Sequence, residues 1–256
     1  MFDSHAHLTS DAIIDSVDAL LSRAQNAGVK NIVNICTNPI TLERGITLAK
    51  RYPWVYNAAS TTPHDADTEG ESVFPLMEKH AKMGDLIAIG ETGLDYYYYR
   101  STADIQQHFL RRYLKLALEC RLPVIIHCRD AFADLLTILD EEYCINGIHP
   151  PGILHCFTGT KEEAAEIIAR GWYVSFSGVV TFKKSDALRA VVETVPLEQL
   201  LIETDTPYIA PQSQRGKTNE PAFIQETAAT IAMIKCLTTQ EIGTITSNNA
   251  KKIFNV

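Results

Sequence analysis

The sequence predicts an α/β protein folded as a (β/α)8 TIM barrel. Short apolar runs alternate with longer amphipathic stretches along the whole chain. The apolar runs recur at intervals of roughly 20–35 residues, which is the spacing of successive βα units. Because strands interleaved with amphipathic helices indicate a parallel sheet buried on both faces, eight such units suggest closure into a barrel.

The eight predicted strands are apolar runs that each stop at or near a polar residue. In chain order they cover residues 1–5, 31–36, 55–60, 86–91, 124–127, 152–156, 173–177 and 200–203. Amphipathic periodicity between them predicts helices that include residues 15–27, 105–120 and 161–170. Thr160 and Glu163 have the spacing of a capping box at the start of the last of these helices.

Length and composition favour one domain that covers residues 1–256. A chain of 256 residues with 46% hydrophobic residues has the size of one barrel and enough apolar side chains for its core. We find no linker that divides the chain. The polar segment 207–221, with its prolines and Gly216, is predicted to be a long active-site loop.

The net charge and the cysteine content indicate which functions and which cellular environment the sequence favours. The net charge of −8 argues against a basic surface that binds long duplexes, but not against local binding of a phosphate at a metal site. The six cysteines form no C-x-x-C pair, which favours reduced thiols in the cytoplasm. We expect no membrane segment, no secretory signal and no obligate protein partner.

His5 and His7 are the first candidate ligands. In an extended segment, residues i and i+2 face the same side, so both imidazoles point together. Taken alone, the pair is weak evidence for a metal site, because in many proteins two histidines near a terminus are hydrogen-bonded polar residues that bind no metal.

Four further ligand-type residues follow apolar runs: Glu91, His127, His155 and Asp205. The C-terminal ends of all strands of a parallel barrel meet at one edge. Because isolated buried charge is costly, such residues are paired or bind metal. Four histidines and two carboxylates exceed the need of one tetrahedral ion and suit two divalent ions with a bridging carboxylate.

Several segments resemble the signatures of the TatD family of metal-dependent deoxyribonucleases, in the amidohydrolase superfamily. They are residues 2–8, 90–96, 122–131, 155–159 and 203–208, and the likeness continues through residues 249–254. The resemblance implies a TIM barrel, divalent metal ions and hydrolysis of DNA phosphodiester bonds, often from one end. It also implies that Glu91 is the bridging carboxylate.

The chain departs from the family pattern at Thr62. Residues 61–66 match a stretch that usually reads His-Pro-His, and Thr62 stands where the first histidine is expected. The family histidine is thought to position a substrate phosphate, whereas threonine offers one hydrogen bond and no positive charge. His64 is retained, either as a phosphate contact or as a loop residue packed by Pro63.

Several other residues near the predicted strand ends are open to two interpretations. Arg129 either contacts a phosphate or pairs with Asp130 or Glu203. Arg215 and Lys217 resemble a family segment and either contact the phosphate backbone or lie on a solvated loop. Tyr96 either stacks on a base or lines the core of its loop. Glu203 is expected to orient a ligand histidine.

These observations predict a metal-dependent hydrolase that uses two divalent ions, with zinc, manganese, iron and magnesium all open. The favoured activity is a deoxyribonuclease, 3′-5′ exonuclease-like on short or single-stranded DNA, with metal-activated water and Asp205 assisting deprotonation. Two alternatives remain open: hydrolysis of a small amide or ester, and a non-catalytic metal-binding barrel.

Overall fold

A computed structural model describes residues 1–145, 147 and 149–256. Its sheet has eight parallel strands in the order β1 to β8, each hydrogen-bonded to the next in sequence. The strands are β1 Phe2–Ala6, β2 Asn31–Cys36, β3 Val55–Ala59, β4 Ala88–Asp95, β5 Val124–Arg129, β6 Gly152–Leu154, β7 Tyr173–Phe176 and β8 Leu200–Ile202. The predicted (β/α)8 barrel is confirmed.

Helices connect the strands and surround the sheet. They are α1 Val17–Asn26, α2 Pro39–Arg51, α3 Ala66–Met83, α4 Ala103–Cys120, α5 Phe132–Glu142, α6 Lys161–Ala169, α7 Asp186–Thr194, α8 Ile224–Lys235 and α9 Thr239–Phe254. The predicted capping box of α6 is present, since Thr160 and Glu163 each accept a hydrogen bond from the other's backbone N–H. None of the helices in the described part of the chain has the length and hydropathy needed to span a bilayer.

The barrel closes between β8 and β1 at the C-terminal edge. Ala6 and Thr206 form a parallel bridge. The backbone N–H of Asp205 donates to the carbonyl of His5 at 2.9 Å, and that of His7 donates to Thr206 at 2.6 Å. Backbone pairing therefore places His5, His7 and Asp205 next to one another.

The barrel interior changes from apolar to polar along its axis. Its apolar part takes alternate residues from every strand, namely Phe2, Val33, Ile35, Ala58, Ala88, Ile125, Ile153, Tyr173 and Leu201, and is covered by Ile253 and Phe254 of α9. Above this layer, the hydroxyls of Ser4 and Ser175 lie 3.0 Å apart. The candidate ligands lie above these serines, at the C-terminal edge.

All eight predicted strands occur, and the ends differ by up to four residues. The largest difference is at β4, which continues to Asp95 rather than ending at Glu91. Pairing with β5 extends as far as Asp95 and Arg129, and every residue of β4 is buried. Burial and backbone pairing, rather than apolar side chains, keep the second half of this strand in the sheet.

Candidate metal centre

The six predicted ligands converge at the C-terminal edge of the barrel. They come from five strands, β1, β4, β5, β6 and β8, or from the residues just after them, and all are buried except His127, whose side chain is 20% exposed. Their ligand atoms fall into two sets that share Glu91. The residues are His5, His7, Glu91, His127, His155 and Asp205.

The first set consists of one atom each from His5, His7, Glu91 and Asp205. His5 Nε2 lies 3.2 Å from His7 Nε2, 3.4 Å from Glu91 Oε2 and 3.6 Å from Asp205 Oδ1. His7 Nε2 lies 3.4 Å from the same Glu91 oxygen and 3.5 Å from the same Asp205 oxygen. The two imidazole nitrogens therefore face each other and two carboxylate oxygens across a small gap.

The second set has three atoms, from Glu91, His127 and His155. His127 Nδ1 and His155 Nε2 each lie 3.3 Å from Glu91 Oε1. The same two nitrogens are 3.3 Å apart. The three atoms form a nearly equilateral triangle, and Glu91 contributes one oxygen to each set.

Both sets fit divalent ions by geometry and by donor type. Four ligand atoms at about 2.0–2.1 Å from one ion are about 3.3–3.4 Å apart when arranged tetrahedrally. Five separations in the first set, from the two histidine nitrogens to each other and to the oxygens of Glu91 and Asp205, are 3.2–3.6 Å and are close to the edge length of such a tetrahedron. The second set matches one face of it and leaves a fourth position for water or substrate, as catalytic sites do.

Burial and charge set the protonation of the two N-terminal histidines. Burial, with help from the neighbouring His155, lowers the pKa of His5 to about 4, so this imidazole is neutral. Burial also opposes charge on His7, but hydrogen bonds to Asp205 and Glu91 outweigh it and raise its pKa to about 9. The carboxylates therefore already attract positive charge to the position that an ion would fill.

Glu203, predicted to orient a ligand histidine, lies next to His155. Its Oε1 accepts the backbone N–H of Cys156 at 2.6 Å, and its Oε2 accepts the hydroxyl of Ser175 at 2.5 Å. His155 Nδ1 is 3.4 Å from Glu203 Oε1, an ion-pair separation. This contact favours a proton on Nδ1 and leaves Nε2 free for the second set.

Asp95 is a functional residue for which the sequence suggested no role. Its Oδ2 accepts His127 Nε2 at 2.9 Å, and the carboxylate is fully buried. The bond holds the proton on Nε2 and points Nδ1 at Glu91. Gln106 fixes Asp95 through hydrogen bonds to its backbone N–H and C=O, at 2.7 and 3.0 Å.

Asp3 is a second buried carboxylate that sequence reasoning missed. It accepts the backbone N–H of His5 at 3.3 Å and the backbone and hydroxyl of Thr204 at 2.9 and 2.6 Å. Burial raises its pKa to about 7, and the bonds to Thr204 oppose that rise. Asp3 joins the segment before His5 to the segment before Asp205. The one available signal was a charged residue inside a short apolar strand.

Irregular strand pairing affects the direction of two of the candidate ligand side chains. Between Asp3 and Ala6, β1 has one more residue than β2 opposite it, and β4 has one more than β5 between Ile89 and Thr92. Such bulges redirect side chains and are frequent beside active sites. His5 and Glu91 lie within these two irregular stretches.

His64 lies beside the second set, whereas Thr62 is turned to another partner. His64 Nε2 is 3.6 Å from Asp95 Oδ2, and its ring centre is 5.6 Å from that of His127. The Thr62 hydroxyl donates to Asp65 at 2.9 Å. The proton of this threonine is therefore used within the loop rather than presented to a ligand.

Arg129 and Arg215 are exposed at the rim and stack on aromatic rings. The Arg129 guanidinium lies 3.8 Å from the ring centre of Tyr97 and does not form the ion pair with Asp130 or Glu203 that was one of its two predicted alternatives. Arg215 lies 4.5 Å from the ring centre of Phe182. Lys217, on the same loop as Arg215, donates to Gln214 at 2.9 Å.

Tyr96 is hydrogen-bonded to the neighbouring helices. It is half-buried, and its hydroxyl donates to Asp134 at 2.8 Å and accepts from Gln107 at 2.9 Å. Of the two readings of Tyr96, the structure favours the loop core. The next two residues, Tyr97 and Tyr98, are 57% and 55% exposed.

Comparison with known proteins finds likeness over the full length of the chain. The family model described as TatD related DNase matches residues 2–255. The chain is 38% identical over 256 residues to the metal-dependent hydrolase YabD of Bacillus subtilis, which covers 100% of this chain and 99% of that protein. It is 36% identical over 266 residues to the 3′-5′ ssDNA/RNA exonuclease TatD of Citrobacter rodentium, which covers 100% and 98%.

Solved structures give the same result for the fold. The crystal structure of YjjV, a TatD homologue from Escherichia coli K12, superposes with a TM-score of 0.93 at 27% identity. The superposition covers 100% of this chain and 98% of that one. The likeness therefore includes every strand and loop that carries a candidate ligand.

Proposed function

The chain belongs to the family of TatD-related DNases and is a metal-dependent hydrolase, and from this premise we propose that it removes nucleotides from the 3′ end of single-stranded DNA. The observation that carries the proposal is the shared carboxylate. Glu91 Oε2 lies 3.4 Å from Nε2 of His5 and of His7, and Glu91 Oε1 lies 3.3 Å from the facing nitrogens of His127 and His155. This is the donor arrangement that two-metal phosphodiesterases need.

We assign one ion to His5, His7, Glu91 and Asp205, and a second to Glu91, His127 and His155. When bound, a pair of divalent ions acidifies water and neutralises charge on a phosphate. Four imidazoles among six ligands favour a transition ion such as zinc or manganese over magnesium, which prefers oxygen ligands.

The chain's own residues have separate tasks in this reaction. The contacts of Asp205 to the histidines use Oδ1, which leaves Oδ2 to take the proton of the attacking water. The water oxygen bonds to phosphorus, and the bond to the 3′ oxygen of the preceding nucleotide breaks. The products are a 5′-mononucleotide and a strand shortened by one residue.

His64 is proposed to bind the substrate phosphate at the open side of the second set. Burial and the nearby His127 lower its pKa, so at neutral pH the ring donates a hydrogen bond without carrying charge. The Thr62 hydroxyl already donates its hydrogen bond to Asp65. Within that loop, the proposed phosphate-binding role is therefore assigned to His64 alone.

The protein's charge favours a strand end over an internal duplex site. With a net charge of −8, the surface repels a long phosphate backbone, and attraction is confined to the metal edge. A flexible single strand reaches that edge by its end. We further propose that residues 1–256 act as one domain, because strand β1 and the segment after β8 jointly build the first set.

The test is a nuclease assay on metal-free protein to which zinc or manganese is restored. With a 5′-labelled single-stranded oligonucleotide, we expect a ladder of products shortened from the 3′ end, which chelation abolishes. His155→Ala removes a proposed ligand, and His108→Ala removes a histidine whose side chain is 57% exposed on α4 as the matched control. Turnover of only an amide or acyl ester panel would contradict the proposal.

A further inference from the structure

The arginines of this protein divide by location. Of the eleven arginines in the chain, seven form ion pairs with carboxylates: Arg23, Arg44, Arg51, Arg111, Arg112, Arg170 and Arg189. Among the described residues, no ion pair is formed by the other four, Arg100, Arg121, Arg129 and Arg215. Arg121 directly follows α4 and precedes β5. The other three lie on the C-terminal side of the strands, after β4, at the end of β5 and after β8, and each of their guanidiniums lies over an aromatic ring.

One of these arginines, Arg129, belongs to a surface that we call the tyrosine platform, formed by Tyr97, Tyr98 and Arg129. The Arg129 guanidinium is 3.8 Å from the ring centre of Tyr97 and 5.4 Å from that of Tyr98. The two rings meet edge to face with centres 5.0 Å apart. All three side chains are exposed, so a large part of each tyrosine ring remains open to solvent.

The tyrosine platform is fixed to the candidate metal centre by one carboxylate. Asp95 Oδ1 accepts the backbone N–H groups of Tyr97 and Tyr98 at 3.0 and 2.8 Å. The other oxygen of Asp95 accepts His127 Nε2. The tyrosine turn is therefore held in register with a ligand of the second set.

His64 fills the space between the tyrosine platform and the second set. Its ring centre is 5.7 Å from that of Tyr98 and 5.6 Å from that of His127. A nucleotide whose phosphate reaches the open position of the second set would place its sugar and base within reach of Tyr98. Phosphate and base subsites are thus adjacent.

We propose that the tyrosine platform binds an unpaired nucleobase of the DNA strand next to the phosphate that is cleaved. This inference rests on the proposed nuclease function and names the feature of the substrate that is recognised. Exposed tyrosines and a guanidinium plane are the groups on which unpaired bases stack, without dependence on base identity. A base held in a duplex has no free face, so the tyrosine platform selects single strands.

The test measures binding of two short single-stranded oligonucleotides that carry phosphorothioate linkages at the 3′ end, so that they resist cleavage. One has a normal 3′ base, and the other has an abasic 3′ nucleotide. The metal-loaded variant Tyr97→Ala/Tyr98→Ala removes both rings. Tyr99→Ala is the control, because Tyr99 is 55% exposed in the same turn but packs on Tyr96 instead of an arginine.

We expect the double variant to bind the normal oligonucleotide about tenfold more weakly than the wild type, as loss of base stacking predicts. Its affinity for the abasic oligonucleotide is expected to equal that of the wild type. Tyr99→Ala is expected to match the wild type with both, and Tyr97→Phe/Tyr98→Phe to keep normal binding.

Three outcomes overturn the inference, and they are distinguishable. If the wild type cleaves single-stranded DNA but the double variant binds both oligonucleotides normally, the tyrosine platform is not a base site although the nuclease function stands. If the double variant loses affinity equally for both, its effect is not on the base. If the wild type neither binds nor cleaves DNA, the proposed function fails and this inference fails with it.

Discussion

For two of the candidate ligands, His127 and His155, a single carboxylate favours the ring nitrogen that faces the candidate metal centre. Asp95 holds the proton on Nε2 of His127, and Glu203 favours the proton on Nδ1 of His155. The two histidines therefore offer different ring nitrogens to the same Glu91 oxygen. Carboxylates in this position raise the basicity of the imidazole and fix its orientation.

Asp95→Asn tests this role. Loss of the negative charge is expected to weaken the affinity of the second ion about 10–100-fold, because partners behind a ligand histidine have effects of that size. The measurement is a metal titration against a competing chelator. Asp134→Asn is the control, since Asp134 is a nearby carboxylate bonded to Tyr96 rather than to a ligand. Equal weakening in both variants would contradict the assignment.

Thr62→Val tests whether the threonine at the family histidine position contacts the substrate. Its hydroxyl donates to Asp65, so we expect little change in kcat/KM with single-stranded DNA. Stability should fall by about 1 kcal/mol, the net value of one hydrogen bond, measured by denaturant unfolding. A large loss of kcat/KM at unchanged stability would place Thr62 in the substrate site.

Among the elements, the loop after β8 is fixed by a buried side chain. Asn219 is 1% exposed, and its Nδ2 donates to the carbonyls of Thr204 and Tyr208 at 2.7 and 2.6 Å. These bonds close the loop around Asp205, whose backbone has a positive φ of 59°. The sequence identified segment 207–221 as a long loop, but its polar composition gave no sign that one asparagine was buried.

Asn219→Ala is expected to destabilise the protein by about 1–3 kcal/mol, because the buried carbonyl of Thr204 and the partly buried carbonyl of Tyr208 lose their donor. Activity should fall further than stability alone explains, since Asp205 is no longer held. Both quantities are to be measured against Lys217→Ala, which changes an exposed residue of the same loop. Wild-type activity in a destabilised Asn219→Ala protein would show that these loop bonds do not position Asp205, and would contradict the prediction.

Strand ends were predictable where a strand is regular, and less so where it is not. His127 and His155 come directly after apolar runs. Because successive side chains of a regular strand point to alternate faces, the face on which each histidine lies could be predicted. His5 and Glu91 instead lie in stretches with an extra residue, which a period-two pattern does not reveal. Asp95 was missed because nothing in the sequence showed that β4 continues beyond Glu91.

At the scale of the molecule, the parallel barrel explains why residues 200 positions apart form one site. Every strand delivers its C-terminal end to the same edge, and this part of the fold was predictable from the spacing of apolar runs. The partners behind the ligands depend on three-dimensional packing and were not predictable. The expected cytoplasmic location stays a prediction.

Metal removal is expected to destabilise the whole barrel. The first set joins β1 to the segment after β8, and a bound ion would link these two segments more strongly than the present hydrogen bond between His5 and His7 does. At an ion concentration about a thousandfold above Kd, binding contributes about 4 kcal/mol, which corresponds to a rise in Tm of about 10 °C for a domain of this size. Differential scanning calorimetry with and without chelator gives the value. An unchanged Tm after proven metal loss would contradict it.

The central claim, two ion sites that share Glu91, is tested most directly by counting bound metal. Protein loaded with zinc or manganese, freed of excess ion and analysed by mass spectrometry should hold two ions per chain. His155→Ala should hold about one, and Glu91→Gln should hold both ions more weakly than the wild type. One ion in the wild type, or Glu91→Gln protein that retains two ions as tightly, would contradict the claim.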